Sequence, residues 1–564
     1  MVESMLKGYL RFGFVMVLMA FASLLKAQTG TWAIGLGSPV QDYPEDVLVD
    51  DQCNTYVAGF FRDTLELGGS TLVSAGQSDI FLAKFDCNGD LLWNRRFGWH
   101  ENEFARCLEF DAQGNILLVG EYQDSTILAN DTVFSLDTLW YGPYAGTYDI
   151  LVMEIDPSGN LLGYKADGWF GSESFYDVAV DSRNFKLFSG MFRTYTYWGG
   201  GVWGRGYDDG LMVLMDTTAN FVWKGTAWGR YIDKATGVDI IGDSLYVMGG
   251  TFQDTCYFRD STVFSITDFE DDVFVSCWDS SRNFRWNVVG HGPGKDHLDA
   301  LESDSDGNIY ICGRFDSTFA LGGLTINSQG NLDGYVAKLS PDGIVLWLQA
   351  VGGVHFDAVS DLTVSDNNKI LLTGYFQGGM EWGGQVLQAS DSLDQDVFVS
   401  ALDINGNVIW LRRAGGSSID KGNAIDVDAN GLITVTGAFS GTAYFGQQRL
   451  SSYGGEDIFV MRMLSDGSVA NQPQEVNHGV SLVAFPNPSS GRITLQMEIN
   501  RPDQLEILIY DLIGNPVWKH QGTVQLSAGM QNLEIDLQSY PQGTYQLVVK
   551  GSRFSRVLPV TLLK

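Results

Sequence analysis

Basic residues are scarce in this chain: 35 Lys and Arg stand against 68 Asp and Glu, a formal charge of −33. A surface so short of cations excludes nucleic acid and anionic lipid as main partners, because both are held by Lys and Arg facing phosphates. Cysteine is scarce too. Six Cys with no Cys-x-x-Cys pair exclude a disulfide scaffold and a zinc-type grouping, and most are expected as buried thiols. The six His form no ligand set: His100, His291, His297 and His355 fall in crossing loops of different repeats, and no His-x-x-x-His spacing occurs. Gly-x-Ser-x-Gly, phosphate-loop and His-Glu-x-x-His motifs are absent. A hydrolase with paired carboxylates stays open, since acids are plentiful. Beyond the N-terminus no apolar run approaches the roughly 20 residues that a membrane-spanning helix needs.

What is present points to export and to strands. Lys7 and Arg11 precede the apolar run from Phe12 to Leu25, and Leu25-Lys26-Ala27 offers a cleavage site before Gln28. Residues 1–27 are therefore expected to be a secretory signal peptide. Apolar residues make up 45%, aromatics 13% and charged residues only 18%, with 67 Gly. That mix suits many short strands joined by tight turns. Residues 475–564 hold seven basic and seven acidic residues, so the acid excess lies upstream and two domains are implied.

A repeat organises the upstream part. Strands begin at Asp79, Asp149, Asp209, Asp272, Asp333, Asp396 and Asp457, spaced by 70, 60, 63, 61, 63 and 61 residues. Fourteen residues after the anchor come Trp93, Trp223, Trp286, Trp347 and Trp410, with Gly163 in the second repeat. Ten residues beyond each of these positions sits an acid: Glu103, Glu173, Asp233, Asp296, Asp357 and Asp420. Each repeat reads as four strands separated by turns such as Asp304-Ser-Asp-Gly-Asn308 and Ser340-Pro-Asp-Gly343. The strands are continuous apolar runs, as in sheets covered on both faces, so units must stack on one another, and a ring of them is the propeller solution. The seventh repeat lacks its Trp strand. Thr31-Trp32-Ala33-Ile34-Gly35 supplies a copy, with Asp42 ten residues after Trp32. The expected fold is all-β: a seven-bladed β-propeller over 28–470, closed by its N-terminal strand, a linker over 471–480 and a small Ig-like β-sandwich over 481–564.

With Tyr56-Val-Ala-Gly59, Tyr310-Ile-Cys-Gly313 and, more loosely, Leu187-Phe-Ser-Gly190, the repeats resemble the bacterial seven-bladed β-propeller repeat family. That resemblance implies a fold and hardly a function, since propellers host unrelated activities. The C-terminal segment resembles the type IX secretion sorting domain of Bacteroidota. The matching positions are Pro486, Asn487, Pro488 and Gly491, then Asp511 and Gly514, Gly543 and Tyr545, and Lys564 at the end. The resemblance implies handling by the type IX machinery and a secreted or outer-surface location, with cargo released or attached to lipopolysaccharide. Pro559, within the last strand, departs from the pattern.

Three groups are candidate sites. The seven acids Asp42, Glu103, Glu173, Asp233, Asp296, Asp357 and Asp420 sit where one repeat crosses to the next; they either bind a cation at a channel mouth or accept loop N–H groups, and repetition in every unit favours the structural role. Asp426-Val-Asp-Ala-Asn-Gly431 and Asp304-Ser-Asp-Gly-Asn308 resemble calcium loops but lack the Glu at the twelfth position, so turns are expected and calcium is the alternative. The long connections of repeats two and three carry Trp140, Tyr141 and Tyr144, and Tyr195, Tyr197, Trp198 and Trp203. These either form a glycan-stacking platform or pack together to hold a loop. The expected function is a binding or adhesion protein without catalytic residues or cofactor, its partner a glycan or another surface protein. A polysaccharide-degrading enzyme and a matrix component are the alternatives. Cys53 and Cys87 lie in turns on one face of the first repeat, where two free thiols are expected and a bridge is possible.

Overall fold

The computed structural model describes residues 31–563 except 129–130, 136–145, 169–170, 194, 197, 199–201, 205–206, 259–260, 265–269, 391–393, 470–479, 486–488, 500–502, 511–515, 520–523, 527–528 and 551–554. The expected signal peptide and nearly all of the expected linker lie outside the described residues. Among the described residues every regular element is a strand. Tyr43–Val49, Thr55–Phe61, Asp79–Phe85 and Leu91–Phe97 pair in that order into an antiparallel sheet. The same order recurs in five further units whose first strands begin at Glu103, Glu173, Lys234, Asp296 and Ala358. A seventh sheet takes Asp420–Val427, Ile433–Phe439 and Asp457–Met463 from one end of the chain and Trp32–Leu36 from the other, in register from Trp32↔Arg462 to Leu36↔Ile458.

Each unit holds because its neighbours cover it. The third strands, such as Asp79–Phe85, Asp333–Leu339 and Asp457–Met463, are buried along their whole length. Trp32, Ile458 and Val460 of the seventh unit share one apolar cluster with Val47, Val57 and Phe81 of the first. The turns are set by aspartate. At Asp304 one carboxylate oxygen accepts the backbone N–H of Asp306 at 3.0 Å and of Asn308 at 2.8 Å, while the Gly307 N–H closes on the Asp304 carbonyl at 2.8 Å. Gly307 takes φ of +81°, which is why Gly stands there. Asp428 opens an equivalent turn. Burial pushes the Asp304 carboxyl up, but hydrogen bonds from Asn308 and Tyr310 and the charge of Lys338 hold it below the usual range. Both calcium-like motifs are thus Asx turns whose carboxylates are already occupied by the backbone.

The connections between second and third strands are hairpins, where loops were expected. Thr318–Leu321 with Leu324–Asn327 and Thr255–Phe258 with Ser261–Phe264 are examples. Several clip onto the outer strand of the preceding unit, through Gly290↔Leu321, Ala227↔Phe258 and Gly415↔Tyr444.

A second joint explains the Trp spacing. Trp93, Trp286, Trp347 and Trp410 each donate Nε1–H to a turn carbonyl of the following unit, on Pro157, Pro341, Ile404 and Ser465, at 2.9–3.2 Å. Trp32 does the same to Cys87 of the first unit at 3.1 Å. The ring lies on a glycine of that turn: Gly159, Gly343, Gly406, Gly467 and Gly89 have φ between +76° and +86°. A Cβ there would come within 2.7–3.2 Å of indole carbons. The contact between the second and third repeats lacks both halves of this joint, with Gly163 for Trp and Ala219 for the facing Gly. Trp223 faces Arg282 rather than Gly and packs on Tyr246 and Trp278.

Cys53 and Cys87, expected as free thiols, are joined in a disulfide with Cα atoms 5.2 Å apart. The two turns that carry them lie side by side because Thr55–Phe61 pairs with Asp79–Phe85, setting Thr55 opposite Phe85, two residues from each Cys. Cys107, Cys256, Cys277 and Cys312 are free and buried. In the C-terminal part Val480–Phe485, Arg492–Ile499 and Gly529–Asp536 form one sheet. Pro516–Lys519, Asp503–Tyr510, Gly543–Lys550 and Ser555–Leu562 form another. Ile493, Leu495, Ile507, Ile509, Leu547 and Val560 fill the space between them. Pro559 sits opposite Gln546 on an edge strand, where a missing N–H is tolerated.

The joint can be tested with two glycines of equal φ. Gly343 and Gly114 both have φ of +80°, but only Gly343 faces an indole, at 2.7 Å, whereas nothing lies within 4 Å of Gly114. Gly114→Ala is expected to cost about 1 kcal/mol from backbone strain alone. Gly343→Ala should cost about 2 kcal/mol more from the displaced Trp286 ring. Denaturant melts of the two variants measure the difference.

Candidate functional site

The acids at the crossings are wholly buried: Asp42, Glu103, Glu173, Asp233, Asp296, Asp357 and Asp420 are each 0% exposed. They do not open on a channel mouth. Each of the crossings at Glu103, Asp357 and Asp420 brings its acid against the anchor Asp of the unit before, across a glycine. A Cβ on Gly98 would lie 2.7 Å from Asp79 and 2.8 Å from Glu103. Gly352 stands likewise between Asp333 and Asp357, and Gly415 between Asp396 and Asp420. The carboxylates accept crossing-loop N–H groups. Asp357 takes those of Gly353 at 2.6 Å and Gln377 at 3.0 Å, and Asp420 those of Gly416 at 2.6 Å and Ser440 at 3.2 Å.

Burial, with the neighbouring anchor charge behind it, raises these carboxyls: Asp42, Asp357 and Asp420 to about 7, Glu103 to about 8 and Asp296 to about 9. Asp233 is raised for the same reasons. Two carboxyls side by side cannot both ionise cheaply, which favours a shared proton at such a crossing. Among the described residues no three or more His, Cys, Asp or Glu converge to hold a metal ion.

A second acidic set, noted in the sequence only at Asp426, lies on the first strands of the seven units, and all of it but Asp426 lines a cavity of about 490 Å³. Counted from the crossing acid, every unit places an acid either four or six residues on. Asp46, Asp177 and Asp361 occupy the first position; Glu109, Asp239, Glu302 and Asp426 occupy the second. The first strand is bulged just there, between Pro44/Asp46 and Phe175/Asp177 for example. The bulge leaves N–H groups that the neighbouring acid takes. Asp46 accepts from Leu108 at 2.6 Å, Asp177 from Val238 at 2.9 Å and Asp361 from Ile425 at 2.8 Å, each in the following unit. Glu302 accepts from Val364 at 3.0 Å, and Asp426 reaches Val49 of the first unit at 2.7 Å.

Glu45 and Asp299 also line the cavity, with Arg106 as a cation held by Glu45 at 3.5 Å and Glu121 at 2.5 Å. Burial pushes Asp46 and Asp299 to about 6, Asp177 and Asp426 to about 7 and Glu109 to about 8. The belt laces one unit to the next. Its signal in the sequence is an acid four or six residues beyond each crossing acid.

The aromatic platform is rearranged. Trp140, Tyr141, Tyr144 and Tyr197 lie outside the described residues. Tyr195 begins a short strand opposite Trp203. Trp198 follows the packing alternative: it is 5% exposed and lies between Phe175 and Phe221, with ring centroids 5.2 and 5.4 Å away. It joins an apolar cluster that spans the second and third units, with Val119 and Ile150 of one and Phe188 of the other. Trp203 is 73% exposed and Tyr207 66%. Of the sorting positions, Gly491 needs its φ of +125°, since a Cβ would meet the Gln538 backbone at 2.9 Å. Tyr545 is buried and donates to the Pro541 carbonyl at 2.8 Å. Gly543 starts a strand. Pro486, Asn487, Pro488, Asp511, Gly514 and Lys564 lie outside the described residues.

Residues 483–557 match the secretion system C-terminal sorting domain. An uncharacterised WD repeat-containing protein of Acanthamoeba polyphaga mimivirus is 20% identical over 508 residues, 72% of this chain and 36% of that protein. The regulatory protein FlaEY of Caulobacter vibrioides is 30% identical over 104 residues, 18% of this chain and 11% of its own length. The chain thus spans about a third of the first relative and a ninth of the second. The Pan2 WD40 domain of Neurospora crassa has 11% identity, covering 79% of this chain and 98% of that one, with a TM-score of 0.37. The sorting domain implies handling by the type IX secretion system and a secreted or cell-surface protein. No helix among the described residues is long and apolar enough to cross a membrane.

The raised carboxyls set a pH dependence. Unfolded, they titrate near 3.8 or 4.5; folded, Asp296 keeps its proton to about 9 and Glu103 to about 8. The folded state binds more protons across that interval, so stability falls as pH rises through the folded values. The melting temperature is expected to be lower at pH 9 than at pH 6. Asp296→Asn, which keeps the neutral shape, should shrink that difference. Thermal melts across pH 5–9 provide the check.

Proposed function

We propose that this chain is a seven-bladed β-propeller of the bacterial repeat kind, closed by its N-terminal strand, that is exported through the type IX route and binds a surface ligand without catalysis. Closure is supported by the pairing of Trp32–Leu36 with Asp457–Met463 and by the Asp426 bond to Val49. The non-enzymatic reading is supported by the paired crossing carboxylates, which are buried and bonded to the backbone, out of reach of a substrate. The ligand reading rests on one observation, the exposed Trp203 and Tyr207 beside the hairpin of the third unit. Exposed rings of this kind stack on sugar faces, which makes a glycan the favoured ligand.

Trp203→Ala is expected to abolish retention on a glycan array without moving the melting temperature. Trp198→Ala should do the reverse, costing roughly 3–5 kcal/mol of stability from the cavity left among Phe175 and Phe221. An array that stays blank for the unmutated protein removes the glycan assignment. Export has its own test: a chain lacking Val480–Lys564 should fold but stay in the periplasm, as read by fractionation and surface proteolysis of expressing cells.

A further inference from the structure

The seam between the seventh and first units differs from the other six in being closed by residues from opposite ends of the repeat array, and it alone carries a disulfide. Trp32 donates Nε1–H to the Cys87 carbonyl at 3.1 Å. Arg462, 0% exposed, donates Nη1–H to the Cys53 carbonyl at 2.5 Å and lies 3.6 Å from Asp428. Both cystine carbonyls are therefore acceptors for the seventh unit, one for the strand from the start of the chain and one for the strand it pairs with. At the other Trp joints the Trp strand directly follows the third strand it pairs with, so the chain itself limits how far the two separate. Here 429 residues lie between Trp32 and its register partner Arg462, and little but this seam keeps the two together.

We infer that the Cys53–Cys87 disulfide is a redox-controlled clasp: it fixes the two acceptor turns against each other and so makes tight seating of the N-terminal strand conditional on an oxidising compartment. The inference goes beyond ligand binding and holds whatever the ring binds. Formation is thiol–disulfide exchange with a disulfide oxidant. One thiolate attacks the oxidant's disulfide to give a mixed disulfide, and the second thiolate displaces the oxidant's thiol. Two protons leave Cys53 and Cys87, and the oxidant gains two electrons as its dithiol. In a reducing compartment the turns stay unlinked and the strand remains loosely held.

Hydrogen exchange read by mass spectrometry on the full-length protein, oxidised and after treatment with a phosphine reductant, tests this. Reduction is expected to make opening of Trp32–Leu36 and Asp457–Met463 roughly tenfold or more frequent. The fourth unit, Lys234 to His291, should be unaffected. Uniform acceleration in all units, or none anywhere, overturns the clasp. Double-mutant analysis gives a second arm that needs no reductant. Trp32→Phe removes the Nε1 donor but keeps the ring packing. Its destabilisation should be smaller in a Cys53→Ser, Cys87→Ser background than in the parent; additive effects overturn the coupling.

Discussion

A sheet that is apolar on both faces cannot stand alone, and this constraint governs everything upstream of the C-terminal part. Covering the faces is simple chemistry, because aliphatic and aromatic side chains suffice. The harder requirement comes at the edges of contact, where loops crossing from one unit to the next carry N–H groups away from water. Here those groups are met by carboxylates, and the carboxylates are in turn kept from repelling one another by retaining protons. Acidic composition, which at first suggests a soluble and repulsive surface, is thus in good part an internal resource. The belt around the central cavity follows the same logic, with each bulged strand offering a donor to its neighbour's acid.

Much of this was legible. The anchor Asp, the Trp and the crossing acid recur at fixed offsets because each serves a joint whose geometry is the same in every unit. The Asx turns announce themselves through Asp and Gly three residues apart. The orphan Trp32 segment was recognisable as the missing outer strand for the same reason. Of the sorting-domain positions, Gly491 sits where a Cβ would meet the Gln538 backbone, and Tyr545 buries its ring with its hydroxyl bonded to the Pro541 carbonyl.

Other features were hidden by the way sequence encodes them. The hairpins do not stand out in the sequence although Gly68-Gly69, Gly322-Gly323 and Gly383-Gly384 mark their turns with positive φ; strands of three or four residues on either side are too short to show a period. The belt acids alternate between two offsets, so no single column reveals them. Trp198 illustrates a deeper limit. Whether an aromatic in a long connection turns inward depends on the faces it meets in the fold, here Phe175 and Phe221, from strands before and after it in the chain. The disulfide was half legible: both Cys fall in turns of the first repeat, but that these turns abut follows from the pairing that sets Thr55 opposite Phe85, two residues from each Cys.

The missing indole leaves an asymmetry between the two halves of one joint. Gly163 and Ala219 face each other there, and both differ from the Trp and Gly of the five complete joints. A Trp at 163 alone would set its ring against the Ala219 methyl, just as a Cβ on Gly343 would meet the Trp286 ring at 2.7 Å. Ala219 itself takes φ of +60°, so Gly there relieves backbone strain even with no indole to cradle. The joint can therefore be rebuilt in one order only, turn first and ring second.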